Sequence, residues 1–321
     1  MTEPNRTEPK RNPLARGDDP FTSAPPLVCA CGNECRKCHV DVDGTQACFD
    51  RFAQVLGTLG NLQDRGLFVA VSGPSSSGKT SLINRCADLA ARVLDKAGAR
   101  VMPVPLTGIG QGPGVTADER AFMVAERLRT KVEGNQSVFD PEVYQAPRSY
   151  GTGRSLYPED FTRAVSDAVR DGAVLIVRTP RTDRAIEVQH YWSGTSRKLL
   201  IFAETTLRDL PGVPDQPQDE ARPLHLRVGL LNPGDAAEFA RTRIDVPGRG
   251  QDFPDLDVDA VERLFGGSQL FPIGAIQTLL YNVYAHYSSN PWPAGNVIRL
   301  ADLEHHIQRQ YTRHGPAGRE G

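Results

Sequence analysis

The chain of 321 residues is 39% hydrophobic and 24% charged, which leaves room for one large domain or two smaller ones with a sizeable core. Its 37 Lys and Arg stand against 39 Asp and Glu, a formal net charge of −2, so no global basic field recruits nucleic acid and no acidic excess marks a solvating chain. The longest apolar runs, such as Leu67–Val71 and Ala173–Val177, fall far short of the ~18 residues of a membrane span. Residues Met1–Pro26 carry Arg6, Lys10, Arg11 and Arg16 but no apolar stretch of a secretory signal. The expected setting is cytoplasmic, away from membranes.

Prolines and charges dominate residues 1–26, which hold too little apolar surface to offset the entropy of ordering and are expected to be a disordered tail. Residues 27–60 form a cysteine-rich segment that runs into an amphipathic helix, Ala47 to about Leu59, read from the helical spacing of Phe49, Phe52, Val55, Leu56 and Leu59. Leu67–Ser72 reads as a buried strand entering a Gly/Ser-rich loop, and Lys79–Lys96 as the helix that follows. Arg100–Leu106 is a second strand that Pro103 and Pro105 place at a sheet edge. Ala117–Lys131 is helical, and residues 134–156 show no period.

Helix Pro158–Arg170, strand Ala173–Val177, helix Arg184–Trp192 and strands Lys198–Ala203 and Leu226–Leu231 continue the alternation. The rest is helical: Gly234–Arg243, Asp257–Phe265, Ile273–Tyr287 and Leu300–Arg313. The pattern predicts an α/β fold, a parallel sheet covered by helices on both faces over 61–232, then a helical segment over 233–314 and a frayed tail at 315–321.

Gly73-Pro74-Ser75-Ser76-Ser77-Gly78-Lys79-Thr80 matches G-x-x-x-x-G-K-[ST] between a predicted strand and a predicted helix, with Ser81 next in the helix. The two glycines let backbone N–H groups wrap phosphate oxygens. Lys79 adds a point charge on the β and γ oxygens, Thr80 offers its hydroxyl to Mg²⁺, and the helix dipole favours the anion. No N-K-x-D element for a guanine base is present, so ATP or ADP is the expected ligand rather than GTP.

With these elements placed, the chain from about Leu67 to Arg313 resembles the AAA+ superfamily in its broad sense, closest to ORC/Cdc6-like and STAND-type ATPases. The resemblance implies a P-loop core, a C-terminal helical lid, ATP hydrolysis and action through a protein partner or homo-oligomer. It makes KLLIFAETT the strand whose end, at Thr205 or Thr206 or Glu204, holds the attacking water. It makes Arg222, just before the last strand, an arginine finger, for which a solvated loop charge is the alternative.

Two departures stand out. Arg178 and Thr179 follow the strand where the family has Asp-Glu, and Gln277 stands in the lid helix where the family has arginine. Asp183 is the residue available to replace the metal acid, or else it caps the helix Arg184–Trp192. Weak hydrolysis follows from the missing carboxylates. A small-molecule kinase is the alternative, because GPSSSGKTS is similar to nucleoside and nucleotide kinase loops.

Cys29, Cys31, Cys35 and Cys38 crowd four thiolates into ten residues, a set that suits tetrahedral Zn²⁺, with His39 or Cys48 able to replace one. Reactive thiols or an iron–sulfur cluster are the alternatives. Cys86 is expected as a small core residue.

Overall fold

Runs of Val, Ile, Leu and Phe with both faces apolar build the main sheet, as a parallel sheet covered on two sides requires. In the computed structural model, which describes residues 40–58, 62–110, 112, 114–147, 157–210, 223–244, 253–266 and 271–313, these runs are β1 (Leu67–Ser72), β3 (Ala173–Arg178) and β4 (Leu199–Thr205), flanked by β2 (Arg100–Pro105) and β5 (Leu224–Arg227). All five pair in parallel in the order β2-β3-β4-β1-β5.

Side chains alternate between two cores. Phe68 and Ala70 of β1, Leu175 and Val177 of β3 and Ile201 of β4 pack on the face covered by α4 (Ala117–Glu133), α5 (Pro158–Ala168) and α6 (Ala185–Gly194). Val69, Val71, Val174, Ile176, Leu200 and Phe202 pack on the other face, with Phe52 and Leu56 of α1 (Thr45–Thr58) and Leu82, Ile83 and Cys86 of α3 (Lys79–Lys96). Each fully buried large side chain is worth about 1.5–3 kcal/mol of transfer free energy. One short helix, α2 (Leu62–Arg65), precedes β1. Between them Gly66 adopts φ +71°, and a Cβ there would lie 2.0 Å from the Ser196 carbonyl oxygen, so only glycine fits.

The expected edge position of the second strand is borne out. The backbone N–H groups of Arg100 and Leu106 donate to Gly172 and Arg178, so even-numbered residues of β2 face β3 and odd-numbered ones face the open edge. Pro103 and Pro105 take odd positions, where the missing N–H removes no ladder bond.

Residues Gly44–Gly229 form one compact unit, and residues 40–43 with 230–313 form another among the described residues. The second unit holds α7 (Asp235–Ile244), α8 (Val258–Phe265), α9 (Ile273–Ser289) and α10 (Leu300–Arg313), with two-residue strands β6 (Asp255–Leu256) and β7 (Val297–Ile298). Phe239, Val261, Phe265, Ile276, Leu280, Tyr284 and Leu303 form its core.

Two sequence expectations shift. The last sheet strand is Leu224–Arg227 instead of Leu226–Leu231, because the apolar run continues past the strand and Leu231 joins the core of the helical unit. Helix α6 begins at Ala185 with Arg184 as its N-cap, and the Thr182 hydroxyl accepts from the Arg184 N–H at 3.0 Å, so Asp183 is not the cap. In the segment without a period, Phe139 is buried and bridges Val169, and its ring meets Tyr144 at 5.9 Å, so its aromatic residues pack locally. Residues 1–39, with the tail and the four-cysteine cluster, lie outside the described residues, as do Tyr150, Arg222 and 315–321. No helix among the described residues is long and apolar enough to cross a membrane.

Candidate functional site

In an open parallel sheet, ligands bind beyond the strands' carboxyl ends where neighbouring connections leave toward opposite faces. Here β1 leads into α3 on one face while β3 leads into α6 on the other, with β4 between them. The loop Gly73–Gly78 lies at that point. A Cβ on Gly73 would lie 2.5 Å from the Val228 carbonyl oxygen, so the loop can pass under β5 only as glycine. Gly78 caps α3 at φ 81°, and Ser76 also holds a positive φ of 62°.

Among the described residues, the backbone N–H groups of Ser75, Ser76, Ser77 and Gly78 donate to no protein acceptor. They are the orphan donors of a helix start, available to an anion, and the first turn of α3 carries no acid to oppose one. The Ser77 hydroxyl donates to the Pro74 carbonyl at 2.9 Å and stiffens the turn. Lys79 is buried, and its ammonium donates to the Gly73 carbonyl at 2.9 Å and to the Pro74 carbonyl. Burial pushes its pKa below the usual lysine value, Glu204 opposes that fall and Arg181 adds to it. These residues fit a nucleotide polyphosphate.

Opposite the loop stand residues from the ends of β3 and β4. The Thr80 hydroxyl donates to Glu204 Oε2 at 2.7 Å. Arg178 reaches the same carboxylate oxygen at 3.4 Å, Thr80 Oγ1 at 3.4 Å and Asn84 Oδ1 at 3.2 Å. Burial lowers the Arg178 pKa and the Glu204 charge counters it. Arg181 donates to the Ser75 hydroxyl at 2.6 Å.

A divalent cation fits this donor set poorly. The hydroxyl expected to serve Mg²⁺ already donates to Glu204, a guanidinium occupies the carboxylate, and no group of three His, Cys, Asp or Glu side chains among the described residues is placed to hold a metal.

The segment carrying Arg178 and Arg181 is itself anchored. Arg120 of α4, fully enclosed, pairs with Glu187 of α6 at 2.7 Å and donates to the carbonyls of Arg181 at 2.9 Å and Ile109 at 3.1 Å. The Thr182 N–H donates to the Glu204 carbonyl at 3.0 Å, and the Thr179 N–H to that of Phe202 at 2.9 Å. The turn is therefore tied to β4 on one side and to two helices on the other.

The structure brings Gly73–Thr80, Glu204 and Arg178 together. Ser81 lies in the first turn of α3 and is half-buried. Thr205 is fully buried, and its hydroxyl accepts from the Leu207 N–H at 3.1 Å; Thr206 is half-buried beside it. Asp183 is exposed. Cys48 donates its thiol to the Arg227 carbonyl at 3.1 Å, and burial raises its pKa. Sequence reasoning missed Arg181 and Asn84. No motif marks either, because the arrangement that recruits them is formed only when three strands align. It also missed Ser72, whose hydroxyl meets His225 Nε2 at 2.7 Å across β1 and β5.

No protein-family model matches the chain, and no curated protein matches its sequence. Among solved structures it is similar to Cdc6p from Pyrobaculum aerophilum (TM-score 0.42, 12% identity, 74% of this chain and 60% of that one). It is also similar to the ORC1 protein of Aeropyrum pernix in complex with DNA (TM-score 0.45, 13% identity, 83% of this chain and 65% of that one). A third is PCH-2 of C. elegans (TM-score 0.37, 10% identity, 84% and 68%). The chain thus spans 60% and 65% of the lengths of the first two. In this chain the Gly73–Gly78 loop lies at the switch point of the sheet.

Proposed function

We propose that the chain binds ATP at Gly73–Ser81 and acts as a nucleotide-dependent switch of the AAA+ or STAND kind, cytoplasmic and slow to hydrolyse ATP on its own. The observation that carries this reading is the loop itself: orphan N–H donors, a buried Lys79 and a Thr80 hydroxyl converge at the carboxyl end of β1. Slow turnover follows from Arg178. The carboxylate bonded to Thr80 is Glu204, and the guanidinium beside it counters its charge, leaving a poor base for water. A kinase has no better support, because Arg178 also stands where its acid is expected.

In this reading residues 233–314 serve as a lid, Thr205 and Thr206 flank the water, and Asp183 is the reserve acid. Arg222 reaches the nucleotide of a second copy or a related partner. Light scattering that finds a monomer with and without a non-hydrolysable ATP analogue counts against that role. Zinc on Cys29, Cys31, Cys35 and Cys38 is a separate proposal from the sequence, decided by metal content of the purified protein.

Calorimetric titration of the full chain with ATP tests the main reading. Binding should be lost on Lys79→Ala, which removes both the charge and its aim, while steady-state turnover stays low in the unaltered protein. Equal affinity in the variant would place the nucleotide elsewhere.

A further inference from the structure

We propose that this loop binds ATP without a divalent cation, the fixed charge being supplied by Arg178 with Arg181. The inference rests on the ATP-binding reading above and deepens it.

A nucleotide triphosphate brings several negative charges to the loop, and they must be neutralised there. A bound divalent ion usually does much of this, held near the loop hydroxyl by an acid from a neighbouring strand. In this chain the strand end supplies a cation. Arg178 is only 15% exposed, and its Nη2 lies 3.4 Å from both Thr80 Oγ1 and Glu204 Oε2, within the region an ion held by Thr80 would share. Placing a divalent ion there sets like charges a few ångströms apart in a poorly screened setting.

The charges already present are of the right sign and number. Lys79, Arg178 and Arg181 all touch the loop or its Thr80, against the single carboxylate Glu204, a net of two positive charges. That equals the charge of the ion it would replace. Guanidinium is well suited to the task because its planar fork matches phosphate oxygens and it does not lose its proton. The buried Nε of Arg178 has no hydrogen-bond partner, so its donors are not all used within the protein. The anchoring of the Arg181 carbonyl by Arg120 holds the two arginines' segment in place before any ligand arrives.

The alternative is that Arg178 merely neutralises Glu204 and moves aside for an ion. The two differ in what a chelator does. Titrating the full chain with ATP in excess EDTA, and again in millimolar Mg²⁺ at matched ionic strength, should give dissociation constants within about threefold of each other. Arg178→Asp should reverse this, losing at least about tenfold in EDTA and regaining affinity with Mg²⁺, since a charge-assisted contact is then exchanged for an acid that can orient the ion. Arg178→Lys, which keeps the charge without the fork, should fall between the two. A loss of tenfold or more for the unaltered protein in EDTA would overturn the proposal while leaving ATP binding intact. Absence of binding in both buffers would overturn the ATP reading, and this inference with it.

Discussion

Lys79 illustrates how much one side chain depends on what surrounds it. Its burial lowers its proton affinity, and in the absence of ligand its ammonium is satisfied by the Gly73 and Pro74 carbonyls. A phosphate group favours the charged form, so binding should raise the pKa again. At alkaline pH, between the free and bound values, ATP binding should therefore take up a proton. Calorimetry in two buffers of different ionisation enthalpy measures that uptake, and Lys79 would not be the phosphate contact if none were seen at any alkaline pH. The lysine was legible in the sequence because its motif is local, a run of eight residues whose spacing alone defines the loop. Arg181 and Asn84 were not, since each gains its meaning from a partner about a hundred residues away in the chain.

Elements show the same division. Strands β1, β3 and β4 were readable because continuous apolar runs have few other uses in a polar sequence, and α10 matched its expected span, Leu300–Arg313. Strands β6 and β7, two residues each, are too short to carry any period. The segment after β3 is positioned by a feature that sequence patterning conceals, an arginine in an amphipathic helix whose partner is a glutamate on another helix. Removing one member of the Arg120–Glu187 pair leaves the other buried and uncompensated. Glu187→Gln should cost about 3–5 kcal/mol, roughly 6–20 °C in melting temperature for a unit of this size. A thermal melt within 2 °C of the unaltered protein would show that the pair contributes little. The same variant should weaken ATP binding, because Arg120, which holds the Arg181 carbonyl, loses the carboxylate that positions it.

For the molecule as a whole, one pH response belongs to a carboxyl outside any motif. Asp43 is buried with φ 61°, and neither carboxyl oxygen has a hydrogen-bond partner. Burial, and then the charge of Asp235, lifts its pKa to about 7 from 3.8. The folded chain therefore holds this proton in a window where the unfolded chain has released it, and this group's contribution to stability declines as pH rises from about 4 to about 7, levelling off above. Asp43→Asn should remove this contribution. Its melting temperature relative to the unaltered protein should climb between pH 5 and 8, and a constant difference would mean that Asp43 is ionised in the fold throughout. The sheet carries a different consequence, for solubility. An open strand edge is a template on which a second chain can pair, and this sheet has two. At β2 the outward positions at Pro103 and Pro105 have no proton to give, and Lys131 occupies the Pro105 carbonyl at 2.6 Å. At β5 the outward carbonyls of His225 and Arg227 are taken by the Arg51 guanidinium at 3.2 Å and the Cys48 thiol at 3.1 Å, both from α1. Stacking of copies through this five-stranded sheet is thereby disfavoured at both margins, by missing donors at one and occupied acceptors at the other.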